Sequence, residues 1–328
     1  MRWPRSRPGG SCARPQQPVP DRRVRLGVLG ELPPEYAKQL GDVEIVPGDA
    51  EQMDALIAWE LDVPGILAGL DRQHQLRWIH LRWAGVPHQV VDALRGRSTV
   101  LTNGSGAHGA AIAEYVLGVV LWHYKRFGDM RQAQTESKWL RNLQLREVRG
   151  SLVGIVGLGD LGRSTARALR GLGVRLRGLS RGGAPCAEVD EVYAASAVAS
   201  FVEGLDVLVI AAPLTPATQG LIGARELASL APGALLVNVG RAPLVDQQAM
   251  LEALENGKLG GAALDVFEAE PLAPESPLWR MPNVFISPHC SDATPESRER
   301  GFLILRDNVG RFCRNEPLRN VVDLDHGY

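Results

Sequence analysis

Residues 152–181 read LVGIVGLGDLGRSTARALRGLGVRLRGLSR. The apolar run 152–156 predicts a strand buried on both faces, as in a parallel sheet. Gly157, Gly159 and Gly162 follow in the spacing G-x-G-x-x-G. A helical pattern runs from Leu161 to about Leu172, and residues 174–179 predict a second strand. Strand, glycines, helix and strand in this order form a βαβ unit that cradles a dinucleotide. Gly157 permits the tight turn, Gly159 lets a pyrophosphate approach the backbone, and Gly162 lets helix and strand pack closely. The cradle is Gly157, Gly159, Asp160, Leu161 and Gly162, with the free N–H groups of the helix start facing the phosphates.

The end of the second strand bears on cofactor choice. NAD sites place Asp or Glu about 20 residues beyond the glycines, bonded to the ribose 2′-OH. Here the strand ends Gly178-Leu179-Ser180-Arg181, with no carboxylate to repel a 2′-phosphate. Ser180 is placed to donate a hydrogen bond to that phosphate, and Arg181 to pair with it or stack on adenine. Arg163, in the first helical turn, adds charge. The expectation is NADP, with NADPH preferred. NAD is the alternative, with Arg181 a solvated loop residue.

Outward from this unit the same rhythm continues. Residues 207–210, 235–239, 261–267 and 284–287 predict strands, 191–193 a weaker one, and 223–230 and 247–256 helices. Such alternation predicts a doubly wound parallel sheet. Upstream, residues 24–29, 43–46 and 100–102 predict strands of a smaller α/β domain, while 54–59 reads as part of a helix and 66–70 as a buried segment. Residues 110–125, AAIAEYVLGVVLWHYK, predict a buried helix at a domain or subunit interface. Residues 132–149 are polar and expected on the surface. A long helix is predicted over 295–314, and the chain end is expected to return to the first domain. The domains expected are a disordered basic extension (1–22), a substrate domain (23–109 plus 296–328) and a dinucleotide domain (110–295).

The bulk composition excludes several classes. The 328 residues are 45% hydrophobic and 22% charged, with a net charge of -1. That balance offers no global field for nucleic acid or membrane. No apolar run reaches the 18 residues of a membrane span. Cys12, Cys186, Cys290 and Cys313 are scattered without a CxxC pair, arguing against a disulfide scaffold or structural zinc and for a reducing, cytoplasmic setting. His74, His80, His88, His108, His123 and His326 form no metal motif.

Five blocks in order resemble the D-isomer-specific 2-hydroxyacid dehydrogenase family. They are Trp83-Ala84-Gly85-Val86, Ala113-Glu114-Tyr115, the glycine fingerprint, VNVGRAPLVD at 237–246, and LDVFEAEPL at 264–272 followed by NVFISPH at 283–289. The resemblance covers roughly residues 24–323. It implies two Rossmann-like domains, the smaller flavodoxin-like and built from both chain ends, a cleft between them, and a homodimer. It implies a catalytic trio of Arg241, Glu270 and His289, each after a predicted parallel strand, where open sheets bind ligands. The residue types suit the reaction. A guanidinium grips the planar carboxylate of a 2-oxo acid and polarises its ketone. An imidazole oriented by a carboxylate delivers the proton while hydride passes from the nicotinamide to substrate C2.

The same resemblance implies that backbone N–H groups of Ala84, Gly85 and Val86 hold the substrate carboxylate. It also implies cofactor contacts at Pro213, Val239 and Asp265, and its NADPH-preferring reductases often carry a Ser-Arg pair where Ser180 and Arg181 stand. Trp83 and Trp139 are candidates for the substrate cleft or for core packing. The chain departs from the family after the histidine, where many members have glycine two residues on and serine next. Here the run is His289-Cys290-Ser291-Asp292. The leading expectation is a glyoxylate or hydroxypyruvate reductase. The alternatives are a short-form phosphoglycerate dehydrogenase and a nucleotide-sensing corepressor that binds partner peptides.

Overall fold

A computed structural model describes residues 22–73 and 75–327. The expected disorder of 1–22 falls outside the described residues except at Arg22, which pairs with Asp54 at 3.0 Å. His74 also lies outside them. The chain divides into two compact units. One comprises the chain up to Gly104 and again from Gly301, the other Ser105–Arg300.

The first unit holds β1 (Val24–Leu29), α1 (Pro34–Ala37), β2 (Val43–Pro47), β3 (Ala55–Ala58), α2 (Val63–Arg72), β4 (Trp78–Leu81), α3 (His88–Leu94) and β5 (Val100–Thr102). Its parallel sheet runs β2-β1-β3-β4-β5, the flavodoxin-like order. The 54–59 stretch is therefore not helical. Ala55, Leu56, Ile57 and Ala58 are all fully buried, since β3 lies mid-sheet with both faces covered. A four-residue apolar run satisfies a helix or a central strand equally well, and its place in the sheet decides. Residues 66–70 lie on α2. After β5 the chain end returns as expected, with Val322 N donating to Leu101 O at 2.9 Å.

The second unit opens with α4 (Gly109–Tyr124) and α5 (Phe127–Thr135). There follow β6 (Leu152–Val156), α6 (Asp160–Arg170), β7 (Arg175–Ser180), β8 (Glu191–Ala194), α7 (Val198–Val202), β9 (Val207–Ile210), α8 (Ala224–Ser229), β10 (Ala234–Asn238), α9 (Gln247–Glu255), β11 (Leu259–Leu264) and β12 (Val284–Ile286). α10 (Pro295–Cys313) starts here and buries Phe302, Leu305, Val309 and Phe312 in the first unit's core. The sheet is entirely parallel in the order β12-β11-β10-β9-β6-β7-β8, the doubly wound arrangement the sequence predicts. Its two faces are sealed by separate cores. Ile112, Val116 and Val120 of α4 close one face against Val153 and Ile155. Phe201, Leu227 and Met250 close the other against Leu208 and Leu236. Each such buried side chain contributes roughly 1.5–3 kcal/mol by leaving water. The strand order reverses between β6 and β9, which makes the crevice at their carboxyl ends the binding position of this fold.

Candidate active site

β6 ends at Val156, and the chain turns through Gly157 at φ +93°. That backbone angle is left-handed, and a Cβ there would come within 2.8 Å of the Ala212 backbone, so only glycine fits. A Cβ at position 162 would lie 1.8 Å from Gly157 O, which sets how closely α6 rides on β6. Gly159 differs: a Cβ there meets nothing within 4 Å. The space is an open pocket of about 400 Å³ lined by Leu158, Gly159, Asp160, Arg163, Arg167 and Glu188. The helix start, the free space and two arginines suit an anionic dinucleotide. Ser180 Oγ accepts the Gly183 N–H at 3.2 Å, and Arg181 is exposed beside it. Leu161 is half-buried, Pro213 exposed and Val239 buried.

On the other flank, three adjacent strands lead to Arg241, Glu270 and His289. Beyond β10, Asn238 Oδ1 accepts from Gly240 N at 3.1 Å and its Nδ2 donates to Arg241 O at 3.2 Å. This clamp fixes the backbone under Arg241, whose Nη1 donates to Gly240 O at 2.7 Å. Burial pushes the Arg241 pKa down, while the charges of Glu270 and Asp292 oppose that shift. Beyond β11, Glu270 Oε1 accepts from Phe267 N at 2.9 Å. Beyond β12, His289 Nδ1 lies 2.8 Å from Glu270 Oε2. Burial disfavours charge on Glu270. The His289 contact, the Phe267 N–H and the charges of His289 and Arg241 outweigh it and hold the carboxyl below its ordinary range. With Nδ1 committed to Glu270, Nε2 is the ring nitrogen left for a substrate.

His289 adopts φ +50°, uncommon for a residue with a side chain, so its loop must be held. Asp265, 1% exposed, does much of the holding. Its Oδ1 accepts from Ser287 Oγ at 2.5 Å and Cys290 N at 2.9 Å, and its Oδ2 from Ser291 N at 3.1 Å. Because Ser287 donates to Asp265, the Tyr115 hydroxyl 2.7 Å away must donate to Ser287. Burial above all pushes that phenol up to about 12. Cys290 and Ser291 thus serve through their backbone N–H groups. The Cys290 thiol is pushed up by burial and by Asp265 and Asp292, which keeps it protonated and a poor nucleophile.

In the first unit, Ala84, Gly85 and Val86 follow β4 as a half-buried loop. Ala84 O accepts from Asn103 Nδ2 at 2.7 Å, and Trp83 O from Gly104 N at 3.0 Å. The Trp83 indole N–H is buried with no partner among the described residues. Trp139 is 87% exposed, so core packing is excluded for it. Asn238, Asn103 and the Tyr115–Ser287 contact were not anticipated. An Asn two residues before a glycine at a strand end is a recognisable turn signal, whereas Asn103 and Tyr115 act on loops remote in sequence.

Residues 117–291, more than half of the chain, match the family model "D-isomer specific 2-hydroxyacid dehydrogenase, NAD binding domain". The chain belongs to this family. Among its similar relatives is glyoxylate/hydroxypyruvate reductase A of Serratia proteamaculans (strain 568), 32% identical over 85% of this chain and 80% of that one. Two solved structures are similar across nearly the whole fold. One is an NADPH-dependent glyoxylate/hydroxypyruvate reductase of Sinorhizobium meliloti in complex with NADP and sulfate. It has TM-score 0.80 and 29% identity, covering 93% of this chain and 99% of that one. The other is a D-isomer specific 2-hydroxyacid dehydrogenase of Xanthobacter autotrophicus Py2 in complex with NADPH and MES. It has TM-score 0.80 and 30% identity, covering 94% of this chain and all of that one. As a D-2-hydroxyacid dehydrogenase the protein is an NAD(P)-dependent enzyme acting on small 2-oxo and 2-hydroxy acids. No described helix is long and apolar enough to cross a membrane.

Proposed function

We propose that this dehydrogenase reduces a small 2-oxo acid of the glyoxylate or hydroxypyruvate type to the D-2-hydroxy acid, with NADPH preferred over NADH. The observation that carries the reading is the His289–Glu270 contact at 2.8 Å, made between the segments that follow β12 and β11, with β11 pairing the strand β10 that leads to Arg241. When bound, the reduced nicotinamide supplies hydride. Arg241 binds the substrate carboxylate and polarises the ketone. The family resemblance assigns a substrate-carboxylate contact to the backbone N–H groups of Ala84, Gly85 and Val86. His289 gives the alkoxide oxygen its proton from Nε2, and Glu270 fixes the ring through the 2.8 Å contact to Nδ1. Gly157, Gly159, Gly162 and the first turn of α6 hold the pyrophosphate, and Pro213, Val239 and Asp265 line the rest of the cofactor path. Asp265 does so chiefly by holding the 287–291 loop.

The NADPH preference is supported by the carboxylate-free end of β7 and by the NADP and NADPH complexes of two similar structures. We also propose a cytoplasmic homodimer. Trp122 and Phe127 meet as an exposed apolar pair at α4 and α5, with Met130 also exposed on α5, of the kind that a second copy covers.

A panel of glyoxylate, hydroxypyruvate and 3-phosphohydroxypyruvate, followed by loss of NADPH or NADH absorbance, tests the reading. Glyoxylate or hydroxypyruvate is expected to give the highest kcat/KM. Preference for the phosphorylated acid would favour the phosphoglycerate dehydrogenase reading, and no turnover a nucleotide-sensing role. Arg181→Ala is expected to lower the NADPH to NADH ratio of kcat/KM by about tenfold, the scale of one lost charge-assisted bond. An unchanged ratio would remove Arg181 from 2′-phosphate recognition.

A further inference from the structure

The loop after β12 carries a second imidazole–carboxylate contact. His108 Nδ1 lies 2.8 Å from Asp292 Oδ2. His108 stands immediately before α4 and is 4% exposed. Neither ring nitrogen finds a well-aligned hydrogen bond among the described residues, so Asp292 is the polar group within its ion-pair reach. The backbone beside it is anchored separately, with Arg300 Nε donating to Ala107 O at 2.7 Å.

Asp292 follows His289 by three residues. Its charge reaches the Arg241 guanidinium together with that of Glu270. Arg241 therefore lies within the electrostatic reach of two resident carboxylates, and a 2-oxo acid brings a third. A planar guanidinium pairs best with one carboxylate at a time, through two parallel N–H bonds. An unrestrained Asp292 side chain would compete for that position.

We propose that His108 is a positioning residue for substrate binding: it holds the Asp292 carboxylate through the 2.8 Å Nδ1–Oδ2 contact and so keeps Arg241 available to the carboxylate of the incoming 2-oxo acid. This deepens the reading of the protein as a 2-oxo-acid reductase and rests on it. The backbone of the loop does not depend on His108, because Asp265 ties the Cys290 and Ser291 N–H groups from the other side. Loss of His108 therefore frees the Asp292 side chain rather than the loop.

The test is a double-mutant cycle read by the dissociation constant of oxamate, an unreactive isostere of a 2-oxo acid, titrated into the full-length enzyme saturated with NADPH. His108→Ala is expected to weaken oxamate about tenfold in the wild-type background and less than about twofold in the D292N background. D292N alone is expected to bind oxamate at least as tightly as wild type. His108→Asn, which keeps an N–H donor near the Nδ1 position, should recover most of the affinity lost in H108A. Should H108A fail to fold, His108→Leu, close in volume and without a donor, replaces it in both backgrounds. Equal weakening in both backgrounds, weakening in neither, or poorer binding by D292N than by wild type each overturns the proposal. Undetectable oxamate binding by wild type would count against both this inference and the proposed function. Wild type that binds oxamate but turns over no 2-oxo acid would overturn the function alone, leaving the cycle readable.

Discussion

At the scale of single residues, the site depends on how each charge is partnered. Arg241 is half-buried, backed by its own Gly240 carbonyl, and its fork geometry matters as much as its charge. R241A is expected to lower kcat/KM on the best 2-oxo acid by roughly 100- to 1,000-fold. R241K, which keeps the charge but loses the paired N–H bonds, should recover only a small part, as steady-state kinetics of the three proteins would reveal. Glu270 gives a pH signature. Its carboxyl titrates lower in the fold than the ordinary 4.5. The stability it contributes is thus complete above about pH 4.5 and lost as pH falls through its depressed folded value. Chemical denaturation across that range should show the wild type losing stability on acidification more steeply than E270Q. Parallel curves would mean that the His289 contact does not bias the carboxyl. The placement of Arg241, Glu270 and His289 after adjacent strands was legible because each belongs to a block of distinctive residues. The contribution of Asp265 to holding the loop was not, since its three partners, Ser287, Cys290 and Ser291, are close only after β11 and β12 pair.

At the scale of elements, the turn from β6 into α6 uses its glycines for different reasons, and two substitutions separate them. Gly159 has φ -76° and open space where a Cβ would go. Gly159→Ala should leave the thermal midpoint within about a degree of wild type while weakening the dinucleotide at least about tenfold, or 1.4 kcal/mol. Gly162→Ala puts a methyl group against Gly157 O and should cost roughly 1–3 kcal/mol of stability as well as affinity. Thermal melts with and without NADPH distinguish the two. If both variants melt alike, the glycines do not divide the work in this way. The βαβ unit was legible because glycine spacing, apolar runs and helix period agree with one another. β3 was misread because Ala55–Ala58 carries no period of its own, and α7 went unnoticed because five residues make too short a window.

At the scale of the whole molecule, the alternation of strand and helix patterns was enough for two α/β sheets, and the observed strand orders follow the rules of open parallel sheets. What composition could not supply is the partner of the apolar residues left outside. Trp122 and Phe127 meet edge-on with ring centres 6.0 Å apart, and both stay exposed. The protein should run in light scattering at twice its 35.5 kDa chain mass. Trp122→Glu should shift it towards one chain mass without disturbing dinucleotide affinity. A monomeric wild type would refute the homodimer.

The strand order also has a history written into it. Ribosomes release a chain from its amino end. In this sheet, β7 and β8 extend one flank from β6, and β9, β10, β11 and β12 then extend the other. Every strand can join an edge already present, so none has to be inserted between two neighbours that have paired. The dinucleotide cradle on β6 and α6 emerges early. Arg241, Glu270 and His289 follow one strand at a time, and His289 comes with the last edge. A nascent chain halted before β12 has the cradle, Arg241 and Glu270, but not the His289 that pairs with Glu270.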